Sequence, residues 1–355
     1  MSVSMPIQTL ESQPAAPDNQ SYAALKKLII EKGLLEKQPA FLTYKILFTA
    51  ALLVISIVIL FITDNLWVQL LNAAYLAFVF GQIGFIAHDT GHRQGFHTTK
   101  QNDFFGILHA NLLMGMSYGW WLDKHNQHHA HPNREDLDPD IAIPVIAFTE
   151  KAALEKRGIP RFMVKYQKFF FFPILLFEAY SLHFGSFRYL IQKPDWKYHR
   201  AETWLLLLHF AWYFTLIFLA IGVWKGLLFV LVHQALFGLY MASVFAPNHK
   251  GMLIIGKDEK IDFLRLQVLT ARNVKAHPFI DFWYGGLNYQ VEHHLFPSMA
   301  RNQLSKAQTI IRKFCEDQQI KYYETSMFKS YVEILDYLHI VSAPLRQKRL
   351  AVETN

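Results

Sequence analysis

The sequence has little of what secreted and metal-binding proteins commonly use. It has one cysteine among 355 residues, so an internal disulfide and a set of thiolates for an iron–sulfur centre are both excluded. It lacks a glycine-rich dinucleotide fingerprint and an acidic cluster of the kind that binds calcium or magnesium. Only 18% of its residues are charged, and no nucleic-acid-binding motif accompanies the net charge of +7. These absences direct attention to the apolar part of the chain.

Long apolar runs dominate the chain, and hydrophobic residues make up 52% of it. Four runs have about the 20 residues that a helix needs to cross a bilayer. They are Phe41 to Ile62, Leu66 to Ala87, Trp204 to Val223 and Leu227 to Ala246. Residues 63–65 join the first two runs and residues 224–226 join the last two, so the sequence predicts two tight hairpins. The apolar stretches 104–122 and 169–191 carry histidine or charged residues and are predicted to be interfacial or re-entrant helices.

Basic residues lie mostly outside the two short connections, on the side that holds both termini and the long connections. By the positive-inside rule that side is cytosolic, and the net positive charge suits anionic lipid headgroups. We therefore predict an all-α integral membrane protein with four transmembrane helices in two hairpins, interfacial helices and a cytosolic helical cap. The predicted segments are a disordered N-terminus (1–20), an amphipathic interfacial helix (21–40), a membrane domain (41–310) and a cytosolic helical tail (311–355).

Three short motifs, HDTGH, HNQHH and QVEHH, contain seven of the seventeen histidines. Their spacings of three and four residues place each group on one face of a helix, and the predicted topology places all three groups on the cytosolic side. Many imidazoles converge only around something that binds them, because protonated rings repel and neutral rings leave donors and acceptors unpaired. Metal is the economical explanation, and the cytosolic cap is predicted to hold it. The histidines are His88, His92, His125, His128, His129, His293 and His294, and Gln290 opens the third motif.

The number of histidines favours two metal ions, because a catalytic zinc ion takes only three protein ligands. Redox-active ions beside hydrocarbon suggest oxygen chemistry on a lipid, although spacing alone does not identify iron. The alternative from another class is a membrane metal transporter or lipid receptor that binds zinc. That alternative requires polar groups inside the apolar runs. The available ones are Gln69, Asn72, Gln82, His209, His233 and Gln234.

In their order and separations, the three motifs resemble the histidine boxes of the membrane fatty-acid desaturases. The resemblance extends from about Phe41 to Ser305, and the flanking WLDKHNQHHAHPN, DLDPDI and NYQVEHHLFP are similar to bacterial acyl-lipid and acyl-CoA members near the linoleoyl branch. A glutamine at the start of the third box is typical of front-end desaturases and of related bacterial enzymes. The resemblance implies an O2-dependent enzyme that introduces a cis double bond into a lipid- or CoA-linked acyl chain. A hydroxylase or acetylenase is the alternative on the same site.

Carried over residue by residue, the resemblance implies two iron ions bound by the seven box histidines, with His249 of PNHKG as an eighth ligand. Gln290 stands where other members have a histidine. Its amide could bind iron, bind it through water, or hydrogen-bond a neighbouring ligand. Asp89, Asn126 and Glu292 are predicted to accept hydrogen bonds from ligand imidazoles.

Aromatic residues near the boxes are candidates for the wall of an acyl tunnel, with an interfacial aromatic belt as the competing interpretation. They are Trp120, Trp121, Trp283, Tyr284 and Tyr289. The sequence HPFI at 277–280 is not the His-Pro-Gly-Gly haem motif of fused desaturases. We therefore expect an external ferredoxin, or a reductase carrying flavin and iron–sulfur, to supply electrons. The expected location is a bacterial cytoplasmic membrane, with both termini and the site cytosolic.

Overall fold

The computed structural model describes residues 19–347. The predicted disordered segment lies outside this range except for its last two residues, and residues 348–355 of the predicted tail lie outside it too. Within the range the regular secondary structure is helical, apart from a parallel pair of two-residue strands, β1 (Asn273–Val274) and β2 (Glu324–Thr325), and an isolated bridge between Arg134 and Ile255. A π-helical segment (Leu108–Met114) precedes α5, and a 3-10 turn (Ala343–Leu345) follows α15. In chain order the helices are α1 (Asn19–Glu31), α2 (Pro39–Ile62), α3 (Leu66–Gly91), α4 (Thr99–Ile107), α5 (Tyr118–Ala130), α6 (Glu150–Glu155), α7 (Gly158–Lys165), α8 (Gln167–Leu175), α9 (Glu178–Gln192), α10 (His199–His249), α11 (Phe263–Leu269), α12 (Pro278–Trp283), α13 (Gln290–Leu295), α14 (Arg301–Asp317) and α15 (Met327–Val341).

Among residues 19–347, three helices are long and apolar enough to cross a membrane: α2, α3 and α10. The pair α8 and α9 passes the same test together, but the two helices are bent by 67°. The predicted helical membrane protein is therefore confirmed at the level of fold class. The stretch 104–122 is not one helix, because Gly115 at φ 80° ends the π-helical segment and the hydroxyl of Ser117 accepts from the Trp120 amide to begin α5.

Helix α10 has 51 residues and consists of two arms. Gly222 has φ 75° and ψ 172°, which breaks the helical backbone. The Tyr213 hydroxyl and His233 Nδ1 lie 2.6 Å apart, although twenty residues of continuous helix would separate them by about 30 Å. The chain therefore reverses at Gly222, two residues before the predicted connection, and the arms pack side by side.

Polar side chains join α2 to α3. The Ser56 hydroxyl donates to Asn72 Oδ1 at 2.8 Å, and the Asn72 amide donates to the Ser56 carbonyl at 3.0 Å. The Gln69 amide donates to the carbonyl of Thr63 at 2.6 Å. In apolar surroundings these bonds satisfy groups that would otherwise lack partners. Helix α3 also packs against α4, the π-helical segment and α10, so its C-terminal end is held inside the structure.

Helix α1 differs from the predicted interfacial helix in length and in what covers it. It ends at Glu31, and its apolar side chains Leu25 and Ile29 are fully buried. They pack against α11 and α14, whose Leu264 and Ile311 belong to the same core. Protein therefore covers the apolar face that the sequence assigned to the membrane. The predicted boundary at residue 310 falls inside α14.

Candidate metal centre

Four elements bring the predicted metal ligands together at one end of the long helices. His88 lies in the last turn of α3, and His92 is its C-cap. Helix α5 carries the second box, and α13 carries the third. His249 is the last residue of α10. The structure thus gathers all eight predicted ligands, although 206 sequence positions separate the first from the last.

The first group of ligands contains His88, His92, His125 and His293, which each offer a nitrogen within 4.8 Å of the others. The Nε2 atoms of His88 and His293 are 3.2 Å apart, and those of His92 and His125 are 2.9 Å apart. Trp121 stacks on His125 with 4.4 Å between ring centroids and covers one side of the group.

The second group contains His128, His249 and His294, again with nitrogens within 4.8 Å of one another. His129 lies between the two groups. Its ring centroid is 4.2 Å from that of His294 and 4.8 Å from that of His293. The eight histidines therefore form two adjoining sets rather than one.

The outer nitrogens of the second group face hydrogen-bond acceptors. His128 Nδ1 lies 3.0 Å from the Asp138 carboxylate. His249 Nδ1 lies 3.0 Å from the Thr270 carbonyl, and His294 Nδ1 lies 2.8 Å from Gln267 Oε1. Each acceptor fixes a proton on Nδ1, so each ring turns the bare lone pair of Nε2 inward.

These inward-facing lone pairs make the site suitable for binding a metal ion. The Nε2 atoms of His128 and His249 face each other at 3.3 Å, so protons on both Nδ1 atoms leave two lone pairs opposed there. His294 Nε2 is buried with no hydrogen-bond partner among the described residues. Burial, reinforced by the neighbouring rings, holds the pKa values of His125, His129 and His294 well below the ordinary value for histidine. Converging neutral rings with inward lone pairs repel one another unless a cation lies between them.

Gln290 is buried beside the second group. Its Nε2 lies 2.9 Å from His249 Nε2, and its Oε1 accepts from Asn248 Nδ2 at 3.0 Å. This geometry matches the third of the predicted roles, a hydrogen bond to a neighbouring ligand. Rotation of both the Gln290 and the Asn248 amide by half a turn would direct Gln290 Oε1 towards His249 and let Gln290 Nε2 donate to Asn248 Oδ1, which has no partner among the described residues.

The predicted partners of the ligands behave differently from one another. Asp89 lies 3.4 Å from His88 Nδ1 and 2.5 Å from Arg301 Nε, so it contacts a candidate ligand. Asn126 is exposed on α5, and its side chain makes no hydrogen bond to another residue within 19–347.

Glu292 faces away from the ligand rings, contrary to its predicted role. It accepts from Asn273 Nδ2 at 2.6 Å and from the Tyr322 hydroxyl at 2.7 Å. Burial raises the pKa of its carboxyl to about 7.

Sequence reasoning missed Asp138 and Gln267. The run of aspartates after the second box was a signal for Asp138, whereas nothing local marks Gln267.

The predicted tunnel residues separate into two sets. Trp121 contacts the first histidine group. Its chain neighbour Trp120 packs against Gly185. Trp283 lies with Tyr284 in the core that joins α3, α10 and α12. Tyr289 donates to the Asp281 carboxylate at 3.0 Å and lines a cavity described below.

Comparison with known proteins agrees with this geometry. The family model for fatty acid desaturases matches residues 65–326. An acyl-lipid (9-3)-desaturase of Physcomitrium patens is 30% identical over 90% of this chain, and the chain spans 62% of that protein's length. The Delta(6)-fatty-acid desaturase fat-3 of Caenorhabditis elegans is 29% identical, with 93% of this chain and 76% of that protein covered.

A Delta 8-(E)-sphingolipid desaturase of Emericella nidulans is 29% identical, and the alignment covers 71% of this chain and 50% of that protein. The family match covers most of the sequence and includes all eight of the converging histidines. The chain therefore belongs to the fatty acid desaturase family of oxidoreductases.

Proposed function

We propose that this protein is an O2-dependent acyl desaturase that introduces a cis double bond into a lipid- or CoA-linked acyl chain. The observation that carries the proposal is the pair of adjoining histidine groups, each with ring nitrogens within 4.8 Å of one another, at one end of long apolar helices. In overall balance, one O2, two electrons and two protons combine with two hydrogens from neighbouring methylenes to give the double bond and two waters.

Two iron ions held by the eight histidines would supply O2 activation and hydrogen abstraction, for which protein side chains have no equivalent. The chain's own residues would orient and protect that chemistry. Asp138, Thr270 and Gln267 fix which nitrogen of each ring faces inward. Trp121 covers the first group against water. Trp120, Trp283, Tyr284 and Tyr289 are proposed to wall the path of the acyl chain.

The proposed arrangement in the membrane has four transmembrane helices in two hairpins, formed by α2 with α3 and by the two arms of α10. Both termini and the metal centre would face the cytosol, in a bacterial cytoplasmic membrane as the flanking motifs of the boxes suggest. Electrons would come from an external ferredoxin or from a reductase with flavin and iron–sulfur. The names of the three relatives, which refer to acyl-lipid, fatty-acid and sphingolipid desaturation, support an acyl substrate.

The proposal is tested by expressing the chain in a host of defined lipid composition and locating any new double bond by mass spectrometry. We expect about two irons per purified chain. His294→Ala should abolish the product while the protein stays in the membrane, because the second group loses a ligand. His97→Ala is the matched control, since His97 is an exposed histidine outside both groups and should leave the product unchanged.

The competing functions give different results in the same experiment. A hydroxylase would add oxygen to the acyl chain, and an acetylenase would remove a second pair of hydrogens from an existing double bond. A zinc-binding transporter or receptor would yield zinc without iron. Gln69 and Asn72 already satisfy α2 backbone and side-chain groups, which weighs against their use as a transport path.

A further inference from the structure

A cavity of about 250 Å³ opens where α2 and α3 meet α12 and α14. It is separate from the histidine groups but linked to them. Arg301, in its wall, pairs with Asp89 at 2.5 Å, and Asp89 lies 3.4 Å from the Nδ1 atom of the metal ligand His88. One ion pair and one hydrogen bond therefore connect the cavity to the metal centre.

Two cationic side chains face this cavity. Lys45 is half-buried, and among residues 19–347 no carboxylate or hydrogen-bond acceptor pairs with its ammonium. Aromatic rings surround it instead, with the centroids of Phe41 and Phe282 both at 5.7 Å. Arg301 is only 8% exposed, and its Nη1 donates to the Gly285 carbonyl at 3.1 Å. Within the same residue range, its Nη2 has no acceptor.

Other groups in the wall add to the attraction for an anion. Helix α14 begins at Arg301 with Ala300 as its N-cap and no side-chain capping bond. The Gln303 N–H donates to the Ala300 carbonyl, which leaves the N–H groups of Arg301 and Asn302 for an anion. Asn302 and Ser305 lie in the first turns of the same helix, at the cavity's exposed rim. The one carboxylate in the wall, Asp281, already accepts from Asn288 at 2.8 Å and from Tyr289 at 3.0 Å.

The surroundings of the cavity are amphipathic. On one side lie polar Asn302 and Ser305, and on the other lies exposed Phe282. Tyr44 and Leu47, on the next turns of α2, are 58% and 66% exposed, as expected of a helix face covered by hydrocarbon. An anionic head with apolar chains matches this arrangement.

We propose that the cavity binds the phosphate of a phospholipid, with Lys45 and Arg301 as its cationic partners, and that this lipid carries the acyl chain to be desaturated. The claim that this lipid is the substrate rests on the function proposed above. Binding beside Arg301 and Asp89 would hold the ester end of the acyl chain near the metal centre, which suits a double bond introduced towards the carboxyl end.

The site is tested by titrating the full chain, purified in a neutral detergent, with dihexanoylphosphatidylglycerol and following its thermal stability. We expect saturable stabilisation, and none with dihexanoylglycerol, which lacks the phosphate. Lys45→Met should weaken binding about tenfold, because a charge-assisted contact is lost, while Lys45→Arg should retain it. Lys306→Met is the matched control, since Lys306 is exposed on α14 outside the cavity wall and its loss should change nothing.

Equal affinity of the wild-type chain and Lys45→Met would overturn the site, provided the iron content of both shows an intact fold. Inorganic phosphate or coenzyme A binding as tightly as the phospholipid would overturn the lipid as the source of the phosphate. The titration needs neither O2 nor electrons. A chain that binds the phospholipid but makes no double bond would therefore refute the proposed activity and leave the phosphate site standing.

Discussion

At the scale of single residues, the second histidine group depends on three acceptors that differ in strength. Asp138 offers a charged carboxylate to His128, Gln267 offers an amide oxygen to His294, and Thr270 offers a backbone carbonyl to His249. A charged acceptor makes its imidazole the most basic ligand of the three. The carbonyl of Thr270 cannot be removed by mutating a side chain, so Gln267 gives the cleaner test.

Gln267→Leu should lower iron affinity by about 10–100-fold, because His294 loses the acceptor that keeps its proton on Nδ1. Gln267→Glu keeps an oxygen at that position and should retain most of the affinity. Iron content measured against a competing chelator distinguishes the two variants. If Gln267→Leu held iron as tightly as the wild-type chain, the assignment of the His294 tautomer would be wrong.

The convergence of the box histidines was predictable from the sequence, whereas the residues that hydrogen-bond to them were not. Residues three or four positions apart share a helix face, so the box histidines could be identified from the local sequence alone. Gln267 lies 27 positions from His294 and meets it only through the packing of α11 on α13. Glu292 was predicted to face a ligand, but its carboxylate accepts hydrogen bonds from Asn273 and Tyr322, which lie in distant segments. Distance along the chain, rather than chemistry, limited these predictions.

At the scale of helices, Gly222 determines how α10 returns through the apolar region. The sequence placed the turn at residues 224–226 because they interrupt the apolar runs. In the structure those residues stay helical and Gly222 reverses the chain, with φ and ψ that only glycine adopts readily. The reversal places Tyr213 opposite His233.

Gly222→Ala should destabilise the protein by about 1–3 kcal/mol, because alanine is strained at a positive φ and a ψ near 180°. Apart from the neighbouring backbone of the chain itself, no described atom lies within 4 Å of the position that a Cβ would take, so the cost comes from the backbone conformation rather than from a clash. Gly256→Ala is the control, since its nearest neighbour would lie at an ordinary 3.6 Å. Thermal unfolding in detergent checks the pair, and equal midpoints would count against a turn at Gly222.

At the scale of the whole molecule, helices from both ends of the described chain pack on the elements around the histidine groups. Helix α1 packs on α11 and α14, and α15 packs on α8. Amphipathic periodicity predicted the apolar face of α1 correctly but not what covers it, because a membrane and a second amphipathic helix present the same kind of surface. The proposed hairpins and orientation rest on the long apolar runs and the basic residues, and they can be tested independently of activity.

The single cysteine makes that topology test direct. Cys315 is fully buried, and burial raises the pKa of its thiol to about 12, so the wild-type chain should not react with a maleimide. Asp64→Cys, between α2 and α3, should react with a membrane-impermeant maleimide in intact cells. Lys257→Cys, beyond α10, should react only in inverted vesicles. Reaction of both from the same side would contradict the proposed hairpins.

The eight histidines also constrain when the centre can be made. Its first ligand belongs to residue 88 and its last to residue 294, which lies in a six-residue helix near the end of the matched region. During synthesis, α10 and α13 must both leave the ribosome before either histidine group is complete. If the proposed iron ions are bound, their delivery would therefore be a late step of biogenesis that completes a fold already assembled.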